Sequence, residues 1–413
     1  MSNGGEPTGA AARRIATLAL AATLAIQVFT SMAGAAAAVL APTVAVAFDV
    51  DPRWIGIFIG LVYAGAMAAS LASGGFIERY GSIRTSQACV VICAAGVAVM
   101  AGAPAGAPWL LAAAALVIGL GYGPITPASS QLLARTTPSE RMAVTFSIKQ
   151  TGVPAGVALA GAVLPSLAHA AGWRAASWAV AALGVAVALA AQPVRARLDV
   201  DRQHGRRLTL RAVLAPLAHL RTPALRRTAL IGFAYSATQM CLTSFLVVYL
   251  AEALRYPLVV AGLALSVATV GGVAGRIGWG IVADRWLQAR RTLALIGALA
   301  AASSVTLAFA QPEWPVPACL ALAGVFGITA IGWNGVQLAE VARLAPRGAA
   351  GVVTGAVGFV TFSGVVVGPP LFALIASFTS SYRASFAALG AVSGGCALWL
   401  FLRQVRGLEV SNH

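Results

Sequence analysis

Long apolar runs closed by short polar or charged segments set the rhythm of this sequence. Twelve runs fall near 15–47, 54–77, 85–103, 108–133, 142–168, 174–192, 228–251, 257–283, 292–310, 315–342, 349–377 and 383–402. A helix rises about 1.5 Å per residue, so roughly 20 residues cross a ~30 Å hydrocarbon layer. The runs are too long for strands of an outer-membrane barrel and too numerous for a single anchor. The pattern predicts an all-α integral membrane protein with twelve transmembrane helices. The first run follows Arg13-Arg14 and contains small residues, as a secretory leader would. Its length and the eleven runs behind it predict a retained helix instead.

Composition agrees with this pattern. Of 413 residues, 59% are hydrophobic and 10% charged, with mean hydropathy +0.84. A soluble domain carries about 25% charged residues. The net charge of +16 is a topology signal. When alternate loops are placed inside, 22 cationic groups fall there and four outside, namely Arg53, Arg174, Arg255 and Arg383. By the positive-inside rule both termini and the central loop are cytoplasmic, in a multi-pass protein of the inner (plasma) membrane. This distribution explains the charge without a nucleic-acid partner. Cys89, Cys93, Cys241, Cys319 and Cys396 lie in apolar runs without a C-x-x-C pair and read as small buried hydrophobes. The four histidines show no ligand spacing and no phosphate-binding glycine loop is present. Neither a metal, a cofactor, enzymatic chemistry nor ATP-driven pumping is expected.

Residues 193–227 form the one long hydrophilic stretch and separate six runs in 1–192 from six in 228–413. Within it, Thr209 to Leu220 has amphipathic helical spacing that suits a membrane surface, and a solvated basic linker fits as well. The two halves repeat each other. Gly74…Glu78-Arg79-Tyr80 corresponds to Gly280…Asp284-Arg285-Trp286 at an offset of 206. Ala134-Arg135-Thr136-Thr137-Pro138 corresponds to Ala342-Arg343-Leu344-Ala345-Pro346 at an offset of 208. Tandem six-helix halves with a site between them are a transporter architecture.

Gly74-Gly75-Phe76-Ile77-Glu78-Arg79-Tyr80-Gly81…Arg84 resembles the loop 2–3 signature of the major facilitator superfamily, G-x-x-x-D-R-x-G-R-[RK]. Gly280-Ile281-Val282-Ala283-Asp284-Arg285 resembles its degenerate copy in loop 8–9. The resemblance spans the whole chain and implies the major facilitator fold. Glu78 stands where aspartate is usual, Arg84 alone remains of the terminal basic pair, and loop 8–9 lacks the glycine after its aromatic residue. A gating role is implied for Glu78, Arg79, Arg84, Asp284 and Arg285, in which the acidic residue meets a neighbouring helix end. A carboxylate is favourable at a helix N-terminus, which gives the role a physical basis. A loop that only sets topology is the simpler reading.

Two cations lie inside runs. Arg276 precedes Asp284 by eight residues, about 12 Å from the charged boundary, and cannot shed its proton there. Its placement is similar to that of the span 8 arginine of the oxalate/formate antiporter and monocarboxylate transporter branch, which clamps a substrate carboxylate. The planar fork of donors suits such a ligand. The alternative is a structural ion pair, although all twelve Asp and Glu residues map to loops or run ends. Lys149 is the single lysine and sits at similar depth in the fifth run, where two halves converging on one anion would want it. Snorkelling of its stem to the surface is the alternative. Polar residues at comparable depth are Gln27 and Thr30, Tyr63, Tyr122, Gln150, Tyr235 and Gln239, and Asn334, which aligns with Thr126. Each also suits an interhelical hydrogen bond.

G-x-x-x-G pairs at Gly56/Gly60, Gly152/Gly156, Gly351/Gly355 and Gly364/Gly368 predict close helix contacts, chiefly in runs 5 and 11. Val153-Pro154 and Gly368-Pro369-Pro370 predict kinks in the same runs. Taken together, the expectation is a secondary active transporter for a small organic anion, a monocarboxylate by resemblance, working by alternating access. Proton coupling and exchange both stay open. A multidrug or hydrophobic-compound efflux antiporter is the alternative, and a non-transporting receptor is the third class.

Overall fold

The computed structural model describes residues 9–50, 54–202 and 213–410, with side chains through 402. Arg53, Gly205 and the start of the amphipathic stretch at Thr209 lie outside the described residues, as do the side chains of Arg403 and Arg406. Every described long element is a helix, as lipid demands, because a helix satisfies its own backbone donors and acceptors.

Eleven described helices are long and apolar enough to cross a bilayer, and one of them, Leu258–Ala308, has 51 residues. At ~1.5 Å per residue it would reach about 76 Å, more than twice the hydrocarbon thickness. It turns back through Ala283–Leu287 and Gln288, whose φ is 61°. That makes twelve spans: α1 (Gly9–Val39), α2 (Trp54–Tyr80), α3 (Ser82–Gly102), α4 (Trp109–Thr136), α5 (Ser139–Ala171), α6 (Trp173–Ala190), α7 (Pro223–Ala253), α8 (Leu258–Val282), α9 (Gln288–Ala308), α10 (Val316–Leu344), α11 (Ala350–Thr379) and α12 (Tyr382–Val410). The first run ends earlier than its apolarity suggests, and Ala41–Phe48 follows as a separate short helix.

Three spans are interrupted near mid-length. In α4 the break falls at Gly123-Pro124 and in α10 between Ala330 and Asn334. In α5 it falls at Thr151, because Pro154 has no N–H to give the Gln150 carbonyl. By contrast α11 runs on through Pro369 and Pro370 as one helix. Interruptions within membrane helices expose backbone and polar side chains at depth, where ligand sites are built.

By contact the chain forms two compact units. One comprises Met1–Ser139, Lys149–Thr222 and Ala342–Phe359, the other Glu140–Ile148, Pro223–Val341 and Val360–His413. Thus α5 and α11 each contribute to both.

The same helix crossings recur in each unit. In the first, an added Cβ at Gly65 would strike the Leu116 carbonyl, and one at Gly119 the Val62 carbonyl. In the second, Gly271 stands in that relation to Gly324 and Gly327 to Ala268. These pairs are offset by 206 and 208, so the repeat read from the loops extends into the packing. Gly152 and Gly156 lie against Gln27 and Val28 of α1, Gly351 and Gly355 against α4 and α2, and Gly364 and Gly368 against Phe233 and Ala237 of α7. The close contacts expected in α5 and α11 are therefore present. Gly56 and Gly60 differ: a Cβ there would meet nothing within 4 Å. Without a hydrophobic drive between helices in lipid, such backbone approaches carry much of the association.

Candidate functional site

In the first unit the break in α5 places Lys149 and Gln150 at its edge. Lys149 is fully buried and does not snorkel. Its ammonium donates to Gln27 Oε1 at 2.7 Å, Gln150 Oε1 at 3.2 Å and Thr126 Oγ1 at 3.4 Å. Gln27 reaches it because Gly152 lets α5 close on α1; an added Cβ would stand 3.0 Å from Gln27 Cβ. The Gln27 amide also donates to Ser31 Oγ at 3.1 Å. Thr126 arrives from the residue after the Pro124-Ile125 step of α4, so three helices converge on one cation. Burying an ammonium is costly unless oxygens replace its water, and three uncharged oxygens do so here. Thr30 instead bonds to the carbonyls of Ile26 and Gln27 in its own helix. Tyr63 and Tyr122 form an edge-to-face pair with centroids 6.3 Å apart.

In the second unit Gln239 of α7 is the corresponding hub. Its Oε1 accepts from Trp333 Nε1 and Asn334 Nδ2, both at 3.1 Å, from the break in α10. Tyr235 packs edge-on against Trp333 at 5.8 Å, while its hydroxyl donates to the Leu293 carbonyl at 2.8 Å. Arg276 is buried, 2% exposed. Its neighbours fix its helix: Gly275 abuts the Ile328 carbonyl, and Trp279 Nε1 donates to that same carbonyl at 2.9 Å. A guanidinium at this depth is held charged within a low-dielectric interior, which strengthens any pairing with an anion. Lys149 thus belongs to one unit and Arg276 to the other.

The loop residues divide in the same way. Asp284 accepts the N–H groups of Ala143 at 3.0 Å and Val144 at 2.8 Å, so loop 8–9 caps the first turn of α5. At α11 a neutral group does this work. Gln131 Oε1 accepts the Gly351 N–H at 2.9 Å, and its amide donates to the Gly348 carbonyl at 2.8 Å. Glu78 is partly buried beside Arg79, whose guanidinium lies 5.3 Å over the Tyr80 ring. Arg84 and Arg285 are exposed.

Sequence reasoning missed Gln131, Trp333 and Asp199. Asp199, at the start of the central linker, accepts the N–H groups of Ile83 at 2.7 Å and Arg84 at 2.9 Å and so caps α3. Nearby Arg135 pairs with Asp201 and donates to the Leu198 carbonyl. The linker through Asp201 is therefore pinned to the first unit. The clue in the sequence was that Asp199 and Asp201 are acidic residues in an otherwise basic stretch. Thr126 was within reach through its alignment with Asn334.

Twelve helical spans, interrupted helices and a buried cation in each unit define a polytopic membrane protein of transporter type. The chain belongs to the Major Facilitator Superfamily, whose sequence profile matches residues 23–369. No curated protein matches the chain in sequence. Among solved structures it resembles an E. coli fucose:proton symporter, FucP, carrying N162A. There the identity is 15% and the TM-score 0.73, over 93% of this chain and 98% of that one. A bacterial homologue of the iron transporter ferroportin, outward-facing with soaked iron, aligns at 18% identity and TM-score 0.72, over 95% and 99%. The human organic anion transporter MFSD10 (TETRAN) aligns at 18% and 0.69, over 96% and 100%. At these identities the likeness establishes the fold, and the substrates of the three differ in kind.

Proposed function

We propose that this protein is a secondary active transporter of a small organic anion, a monocarboxylate, across the plasma membrane by alternating access. The observation that carries this reading is the burial of two cations within interrupted-helix surroundings, Lys149 fully and Arg276 to 2% exposure. Arg276 clamps the carboxylate with its planar fork, and Lys149 attracts the anion from its cradle of Gln27, Gln150 and Thr126. Gln239, Asn334, Tyr235, Tyr63 and Tyr122 supply polar and aromatic contacts. The resemblance of Arg276 and its glycine-rich surroundings to the monocarboxylate branch supports the substrate class. Residues 1–192 and 228–413 act as the two moving halves, joined by the cytoplasmic linker 193–227, with both termini inside. Asp284 and Gln131 hold helix ends closed at the cytoplasmic gate, with Glu78, Arg79, Arg84 and Arg285 beside them. A multidrug efflux antiporter is the second reading, supported by Trp333 on Gln239 and by Tyr235 packed against Trp333.

Purified protein screened by melting temperature against carboxylic acids and lipophilic cations separates the two, since a ligand that binds the folded state raises it. Carboxylates should stabilise, and counterflow of the same acid in liposomes should follow. Stabilisation by lipophilic cations alone would sink the anion reading. Arg276→Lys keeps the charge but loses the fork, so transport should fall at least about tenfold with the fold intact. Lys149→Ala should weaken binding, and the double variant should lose less than the product of the two if one anion meets both. A normally transporting Arg276→Lys variant would remove the clamp.

A further inference from the structure

Each unit carries a lateral groove that holds none of the proposed substrate contacts. One, of about 830 Å³, lies between α9 and α12 and is lined almost entirely by apolar groups, with Arg291 at one end. The other, of about 640 Å³, lies between α3 and α6 with Arg84 at one end. The two are the same feature made twice. Arg84, Ala88 and Val91 match Arg291, Leu295 and Ala298 at a constant offset of 207. On the facing helices Ala188 and Leu189 match Ala397 and Leu398 at 209. Exposure repeats with them: Leu189 is 67% exposed and Leu398 57%, while Ala188 and Ala397 are both buried.

We propose that these grooves are anionic phospholipid sites, each taking one acyl chain with the headgroup phosphate on its arginine. The groove walls are open to the side, where a transmembrane helix bundle meets lipid. Arg291 stands three residues into α9, at the charged helix end where headgroups begin. From there the lining extends to Ala301, about 15 Å along the helix and close to half of a ~30 Å hydrocarbon layer, the reach of one leaflet's chain. A guanidinium matches a phosphate in charge and in donor geometry, and basic residues flanking membrane helices favour anionic headgroups. The α9/α12 groove is the stronger site. Near its arginine it carries Phe401 and Ala294 where the α3/α6 groove has Gln192 and Gln87, and the Gln87 amide already donates to the Ala188 carbonyl at 2.7 Å and Gln192 Oε1 at 3.0 Å.

Native mass spectrometry of the full-length protein, titrated in neutral detergent with palmitoyl-oleoyl phosphatidylglycerol or with the phosphatidylcholine of the same chains, tests this. Two phosphatidylglycerol molecules should be retained in preference to phosphatidylcholine. Arg291→Gln should weaken the tighter one about fivefold and Arg84→Gln the other, in line with one surface cation each. Ala298→Trp, which fills the groove and leaves the charge, should also lose the tighter lipid. Equal retention of the two lipids would overturn the proposal, and so would Arg291→Gln binding like the wild type. Full binding by Ala298→Trp would overturn the groove, leaving a headgroup contact alone. None of these outcomes depends on the transported substrate.

Discussion

The two halves of the chain build the same turns with different residues. Between α2 and α3 the chain turns through Gly81 at φ 90° and ψ 163°; at the equivalent point between α8 and α9 it turns through Gln288 at φ 61° and ψ 155°. Between α5 and α6 it uses Gly172 at φ 86°; between α11 and α12 the positive φ falls on Ser380, at 51°, one residue ahead of Ser381, which the offset of 209 sets opposite Gly172. At the Gly81/Gln288 turn the N-terminal half places glycine at positive φ and the C-terminal half forces a side chain there, which costs on the order of 1–3 kcal/mol. Elsewhere the order is mixed, with Asp49 at φ 51° in the first half and Gly348 at φ 78° in the second. The missing glycine in loop 8–9 is thus no loss of the turn. The helix-end caps contrast likewise: a carboxylate at α5, from Asp284, and a neutral amide at α11, from Gln131. So do the polar hubs. Gln27 turns its oxygen to a lysine, and Gln239 turns its oxygen to an indole and an amide. Repetition preserved the backbone, and the chemistry on it diverged.

The largest effects should come from the shared crossings. Gly119→Leu and Gly327→Leu each drive a side chain into a carbonyl of the neighbouring helix. Each should cost about 3 kcal/mol or more and leave little monodisperse protein after extraction. If either leucine is tolerated, the crossings are not equivalent. The caps come next. Asp284→Ala should lose about 1–2 kcal/mol and Gln131→Ala about 1 kcal/mol, read as lower melting temperatures. Equal losses would mean that the charge on Asp284 adds nothing. Gln288→Gly should instead stabilise the protein by about 1 kcal/mol. Gly81→Ala should destabilise, since its new Cβ would run into Asp199. A destabilising Gln288→Gly would show that the side chain matters more than the strain.

The smallest effect concerns Asp199, the cap that the central linker supplies to α3. Burial pushes its carboxyl up, against a smaller opposing pull from the Ile83 and Arg84 N–H groups. With the folded pKa above the unfolded one, the ionised form is the disfavoured one in the folded state. The stability from this group therefore grows as pH falls through the raised value. As pH falls from neutral towards the ordinary carboxylate range, the wild type should gain melting temperature relative to Asp199→Asn. A constant difference would mean that the group does not titrate there.

Much was legible in the residue string. Because an exposed backbone in a bilayer must satisfy its own hydrogen bonds, the apolar runs located twelve spans, eleven of them to within about five residues. The first is located less closely, since its helix ends at Val39. The loop signatures revealed the repeat, and depth arithmetic singled out Arg276 and Lys149 as buried cations. The glycine pairs of α5 and α11 were read correctly as contacts, while those at Gly56 and Gly60 face open space, since spacing alone does not say which side of a helix meets a neighbour.

What only the tertiary structure decided is which atoms meet. Lys149 could have reached for the surface; instead the Thr151 break and the Gly152 approach hand it Gln27, Gln150 and Thr126. Nothing in the linker's basic composition says that Asp199 will cap a helix begun 116 residues earlier. Nor does it say that Gln131 will take the cap at α11. Transmembrane position is set by each segment's own free energy of transfer and is therefore local. Partnership depends on a few ångströms of backbone approach between segments far apart in sequence, and that is fixed only when the helices pack.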